Sequence, residues 1–547
     1  MPGSPPTQPP PAPRSRWARA LGVLRPSRSH STFSASMLLG TSSLVSSLIG
    51  LARGKFVAWI FGAGHQTDAF NAAFRLPDLM NNFLVGGAVS ITFVTLLNRY
   101  REQGDEDEGE RLLFTVVNLM ALVLVAASVV LVFLAAPFIR ATNPGFTPAQ
   151  VALSAHMTWI LLPAQIFLFV GSAVGSTLLV RRQFLFQAAQ PILYNLFIIG
   201  SGYLLHRQLG IFSLAVGSTC GFLFGSLATN AWGAWRAGVQ FRFGIDFHHP
   251  GLRLWLRMSL PLMLGFGLPF LDQYFWGYFA SRGVGDITRL TNARQLFSAP
   301  MSMLAQAAGV ASMPFFAALW AKRKHYEFAL DIADTVSRIV SLALLAASGM
   351  IALAQPIVGL AFGGGRFGPH DVQLTALYFA CFTVSLCFWS AQSVYARAFY
   401  AAGITWLPML ASTLIVVAAL PLYGIGYRLA GAVGLALASD SGIALQAIVL
   451  ALLLHKRHMV SLASLDYAEI GRCLLAGLVS GSPVWLVFGW FGGTIRHWLR
   501  IDLRWADLVL LLAGAAIWTA LVLWILERTG SALPRVLRKR LGLRSAL

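Results

Sequence analysis

The chain has 547 residues, of which 56% are hydrophobic and 11% charged, with a net charge of +20. Soluble domains carry about 25% charged residues, so a soluble multidomain enzyme, a disordered chain and a fibrous protein are excluded. The basic residues sit between long apolar runs rather than on one face, which argues against nucleic acid as a partner.

The first residues are Pro-rich and basic, with no uninterrupted apolar run and small-residue cleavage site behind them. They predict a disordered cytoplasmic tail over 1–33 rather than a cleaved signal peptide. Beyond it come long apolar runs such as VVNLMALVLVAASVVLVFLAA (116–136) and LVLLLAGAAIWTALVLWIL (508–526). A helix crosses a bilayer with roughly 20 apolar residues, a barrel strand with roughly 10 alternating ones. The runs therefore read as helices. Fourteen spans are expected, centred near residues 45, 85, 125, 165, 195, 220, 268, 305, 348, 385, 413, 442, 480 and 516. The fold class is an all-α polytopic membrane protein. Two pseudo-symmetric six-helix lobes are expected over 34–236 and 237–458, followed by two further helices over 459–530 and a basic cytoplasmic tail over 531–547.

Connections on the N-terminal side hold 27 Lys and Arg, the opposite ones 9. That bias places both termini in the cytoplasm. The acidic run GDEDEGE (104–110) reads as a solvated cytoplasmic loop, and PRVLRKRLGLR (534–544) as a basic amphipathic segment on anionic headgroups. Four cysteines, Cys220, Cys381, Cys387 and Cys473, lie in apolar stretches without metal or disulfide spacing and read as packing. No catalytic motif and no metal-ligand spacing occurs, so neither enzymatic activity nor a bound metal is expected.

The information lies in charges at membrane depth. An Arg there costs about 3 kcal/mol on insertion scales, so it faces protein or a watery cavity. Arg53 interrupts the first span, Arg75 enters the second and Arg294 the eighth. Each alone could pair with Asp68, Asp78 or Asp286; as a set they suggest a shared anion-binding cavity. A weak repeat agrees: Arg75 precedes GGAVS (86–90), and Arg294 precedes AGVAS (308–312). Internal repeats with a midplane site between them mark transporters. Two acids, Asp272 in span seven and Asp440 in span twelve, are candidates to bind a coupling Na⁺ or H⁺, or to neutralise an Arg.

The stretch GLARGKFVAWIFGAGHQTDAFNAAFRLPDLMNNFLVGGAVSITFV (50–94) resembles the start of the MurJ/MviN family of lipid II flippases. The resemblance rests on G-x-A-R at Gly50–Arg53, F-G-A-G at Phe61–Gly64 and T-D-A-F at Thr67–Phe70. A-F-R-L-P at Ala73–Pro77 and G-A-x-S at Gly87–Ser90 complete it, with weaker echoes in NPGF (143–146) and FGGGRF (362–367). It implies the fold of the multidrug/oligosaccharidyl-lipid/polysaccharide exporter superfamily and a cavity that holds an undecaprenyl-pyrophosphate-linked glycan. The chain departs from the family where Ser47, Asn81, Asn82 and Gln295 stand at positions that usually carry Arg. The substrate-binding set expected on this basis is Arg53, Arg75, Arg294, Asp68, Ser47, Asn81, Asn82 and Gln295.

The function so implied is flipping of a lipid-linked peptidoglycan precursor by alternating access in the bacterial inner membrane, with membrane lipids and cell-wall synthesis enzymes as partners. A drug or cation antiporter of the same superfamily, or a non-transporting cell-wall scaffold, are the alternatives.

Overall fold

The computed structural model describes residues 32–82, 88–263, 268–490, 503–531 and 533, and these are almost wholly helical. The N-terminal tail, Gly86 and Gly87 of the expected repeat, and the basic segment 534–544 lie outside them.

Ten described helices are long and apolar enough to cross a membrane. One of these, Trp406–Lys456, folds back at Ala430 and Gly431 and makes spans eleven and twelve. Three further crossings are interrupted and so escape a length criterion. Span two is built from His65–Ala73, Arg75–Met80 and Ala88–Glu102, span seven from Pro250–Met263 and Leu268–Ala280, and span eight from Asp286–Pro300 to Ala307–Ala321. The described residues thus support fourteen crossings.

The breaks have local causes. In span eight a π-helical turn, Met301–Gln306, follows Pro300, whose ring removes a donor and crowds the preceding turn. In span six the π-helical stretch Gly221–Ala228 brings Gly221 and Gly225 against the backbone of Tyr194 and Gln190 in span five. Helix reversal at Ala430–Gly431 uses a Gly at φ 57° and ψ −135°, a conformation essentially restricted to glycine.

Spans one to six pack on one another, and spans seven to twelve do likewise. Span thirteen (Tyr467–Val484, continued by Trp485–Trp490) lies on span nine (His325–Ala352), and span fourteen (Leu503–Arg528) lies on span thirteen. The turns at 62–64, 143–147, 281–285, 363–368 and 430–431 share one end of the bundle, called here the latch end. The connections at 103–105, 181–184, 237–249, 322–324 and 457–466 share the other, the linker end.

At the linker end the acidic run is largely exposed, as its composition suggests, but from Glu106 it is helix rather than loop. Span three (Glu106–Thr142) starts within it, so its carboxylates occupy a helix N-terminus, where negative charge is favoured. Glu110 is buried and accepts from Arg181 at 2.7 Å, while Arg242 pairs with Asp107 at 2.7 Å. Arg181, from a neighbouring connection and unseen in a local reading, draws Glu110 inward, while Glu106 and Asp107 stay exposed.

Gly431→Ala should lower the thermal midpoint of the detergent-purified protein, because the added Cβ strains the reversal by about 1–3 kcal/mol. An unchanged midpoint would contradict the assigned backbone.

Candidate functional site

A cavity of about 430 Å³ lies where the two sets of spans meet, within the membrane-spanning region. Span one contributes Arg53, Gly54 and Val57, and span two Asn71, Arg75 and Asp78. Tyr194 comes from span five, Gln273 and Trp276 from span seven, and Thr291, Asn292 and Gln295 from span eight.

The expected arginines divide three ways. Arg53 lines the cavity, and its guanidinium lies 5.9 Å from the Tyr194 ring centroid, without a carboxylate partner among the described residues. Arg75 also lines the cavity but is 4% exposed. It donates to the Asn143 side-chain oxygen at 2.6 Å, and its guanidinium packs on Gly277, where any side chain would collide with it. Arg294 does not reach the cavity. Its guanidinium lies 3.9 Å from Asp272 and 5.4–5.5 Å from the rings of Phe297, Phe382 and Trp389. Successive helical residues are separated by about 100° around the axis, so Gln295 takes the cavity face that Arg294 leaves. Gln295 also donates to the Gly50 carbonyl at 3.2 Å, which ties span eight to span one.

The remaining expected residues fall elsewhere. The Asp68 carboxylate is 1% exposed and wholly engaged across the interface between the two sets of spans. It accepts from the Gly285 N–H at 2.6 Å and from the Thr288 N–H and hydroxyl at 2.9 and 2.7 Å. Helix Asp286–Pro300 has no side-chain cap of its own, so Asp68 supplies from the opposite half what an N-cap normally supplies locally. Ser47 is exposed and bonds back to the Ser43 carbonyl. Asn81 and Asn82 are half-buried outside the cavity wall, with the Asn81 Oδ1 and Asn82 Nδ2 unpartnered among the described residues.

Asp272 lies 3.9 Å from Arg294, and Asp440 is near enough to feel the same charge. Asp272 accepts from the Tyr423 hydroxyl and from Ser439 Oγ at 2.8 Å. Both carboxylate oxygens of Asp440 are buried without a hydrogen-bond partner among the described residues.

More contacts join the halves at the latch end. Asn71 donates to the Thr288 hydroxyl at 3.2 Å, and the Arg366 N–H donates to the Trp59 carbonyl at 3.0 Å. Lys55 reaches the Leu360 carbonyl. Gly365, at φ 60°, lies flat against Trp59, where no side chain fits. The cavity is therefore closed at the latch end by polar contacts that span the interface.

Comparison with known proteins agrees with this architecture. The model of the lipid II flippase MurJ family matches residues 57–497. The chain belongs to that family. It is 26% identical over 500 residues to the lipid II flippase MurJ of Burkholderia cenocepacia, a match that covers 87% of this chain and 92% of the relative. A solved lipid II flippase MurJ in an inward closed conformation superposes with a TM-score of 0.73 at 20% identity, covering 90% of this chain and 99% of that one. An inward-facing multidrug resistance MATE family transporter of the MOP superfamily superposes less well, with a TM-score of 0.58 at 16% identity and coverage of 77% and 98%. The chain is thus a multi-pass membrane protein of a transporter family.

From the sequence Asp78 reads only as a partner for an Arg, and Tyr194, Trp276, Asn71, Gln273 and Asn292 do not stand out. Asp78 carried a usable signal, as a charged residue three positions after Arg75 in an apolar span. The others belong to spans that only the tertiary fold brings together.

Replacing Asp68 with Ala leaves the Gly285 and Thr288 N–H groups without their acceptor. One such loss costs about 1–3 kcal/mol, so the latch end should open more often, by at least roughly 5- to 150-fold. A cysteine substituted for Thr291 should then react faster with a membrane-impermeant maleimide applied at the latch end. An unchanged rate would show that Asp68 does not hold the halves together.

Proposed function

We propose that this chain flips a lipid-linked glycan precursor, with lipid II as the first candidate, by alternating access of the cavity between its two lobes. The observation that carries the reading is the placement of Arg53. Its guanidinium lines a cavity shared by both halves and has no carboxylate partner among the described residues. A cation costs about 3 kcal/mol at membrane depth, and an anionic head group arriving in the cavity offsets that cost. Arg suits a pyrophosphate because its planar fork binds two oxygens at once. Arg75, held in place by Asn143, adds positive potential from the adjoining span. Gln295, Asn71 and Asn292 offer hydrogen bonds to a sugar.

The lobes, 34–236 and 237–458, rock about this site while Asp68 and its neighbours close the latch end. Both termini lie in the cytoplasm, as the excess of basic residues at the linker end requires. The lipid tail stays in the bilayer against spans thirteen and fourteen. Cell-wall synthesis enzymes are the expected suppliers and consumers of the cargo.

A coupling ion belongs to the Asp272–Arg294–Asp440 cluster. Asp272 already accepts from Tyr423 and Ser439 beside a guanidinium 3.9 Å away, which leaves little room for a metal ion. No group of three or more His, Cys, Asp or Glu among the described residues is disposed to hold one. Asp440, with two unpartnered oxygens, is better suited to a proton.

The decisive experiment is rescue of a bacterium depleted of its own lipid II flippase. The wild-type chain should restore growth, Arg53→Ala should fail, and Arg53→Lys should restore it partly, since charge remains while the fork is lost. Each variant must be present in the membrane at wild-type level. Full rescue by Arg53→Ala would refute the proposed contact. Asp440→Asn and Asp272→Asn, assayed for flipping in proteoliposomes with an imposed pH gradient, test the coupling. Unimpaired, gradient-dependent flipping by both would remove these acids from it.

A further inference from the structure

The transport reading uses the two arginines of the cavity and leaves a third charge unexplained. Asp78 lines the same cavity. It follows Arg75 by three residues, so the two lie on neighbouring positions of one helical face. Yet no described cation lies within ion-pair distance of its carboxylate. Arg75 turns instead to Asn143, and Arg53 to the ring of Tyr194.

A carboxylate here works against a cavity meant for anions alone. It lowers the positive potential that the arginines supply and repels a phosphate brought between them. A purely anionic cargo would be better served by Asn, which is uncharged and nearly isosteric. Within a membrane an acid without a partner is costly and marks a site of use. The cavity therefore presents both signs of charge, and a head group complementary to it carries both.

We infer that Asp78 is a specificity-determining residue that binds an ammonium group of the cargo, while Arg53 holds its phosphate. The substrate class is a lipid-linked glycan whose head bears a free primary amine, on an amino sugar or an amino-acid side chain, in addition to the phosphate. The inference rests on the transport reading above. It adds that the cavity selects for a zwitterionic head over a wholly anionic one.

The test uses the full-length protein in lipid nanodiscs and two probes. One is a polyprenyl-pyrophosphate-linked glycopeptide ending in a free amine; the other is the same molecule with that amine acetylated. Wild-type protein should bind the amine probe at least tenfold more tightly. Asp78→Asn should lose most of that preference and bind the acetylated probe more tightly than wild type does, because a repulsive charge has gone. Asp78→Glu, which keeps the charge, should retain part of the preference. Equal binding of the two probes by wild type, or an undiminished preference in Asp78→Asn, would overturn the inference while leaving the transport reading intact. Binding of neither probe by a monodisperse wild-type protein would overturn both. Should Asp78→Asn fail to fold, lowering the pH to protonate the wild-type carboxylate provides a second arm. Loss of the preference at low pH supports the inference, and its persistence overturns it.

Discussion

The rest of the structure depends on a carboxylate working across an interface. Asp68 sits in the first half of the molecule, and the donors it satisfies begin a helix of the second. Helix N-termini leave N–H groups unpaired and carry positive partial charge, so an acid placed there is doubly favoured. Charged hydrogen bonds of this kind contribute about 1.5–3 kcal/mol each. A few of them can hold the latch end shut without the broad apolar burial that would make closure permanent. Water can satisfy the same groups once the halves part, so the contact is suited to repeated opening.

With that end closed, membrane depth governs what the interior can contain. Three of the described arginines lie there, and each meets the cost of its charge differently. Arg294 is neutralised within the second lobe by Asp272 and surrounded by aromatic rings. Arg75 is anchored by Asn143 while still bordering the cavity. Arg53 has an aromatic face and open space. The same residue type thus serves internal structure, electrostatic support and, in the proposed transport, ligand contact. The distinction follows from which groups each side chain can reach, and Asp78 belongs to the same balance as the cavity's acid.

Much of the fold was legible because the bilayer imposes a length on every crossing. Runs such as 116–136 and 508–526 leave few alternatives, and the interrupted spans two, seven and eight were marked by their charges, glycines and prolines. The candidate site was legible in part. Arg53 and Arg75 border the cavity, as intramembrane arginines are expected to border something polar. Gln295 reaches the wall where Arg294 does not, since one residue of helical rotation separates opposite environments. Ser47 and the Asn81–Asn82 pair share spans with the cavity residues but point elsewhere.

By itself the sequence determined the helical class, the number of crossings and the family, because hydrophobic length and short local motifs are properties of contiguous residues. It also determined that charge would be stored within the membrane. Only the tertiary structure decided which charges share a cavity, that Asp68 caps a helix 217 residues away, and that Asp78 stands without a counter-ion among the described residues. Those outcomes depend on the rotation of each helix about its axis and on contacts between distant spans. Neither leaves a local trace in the chain.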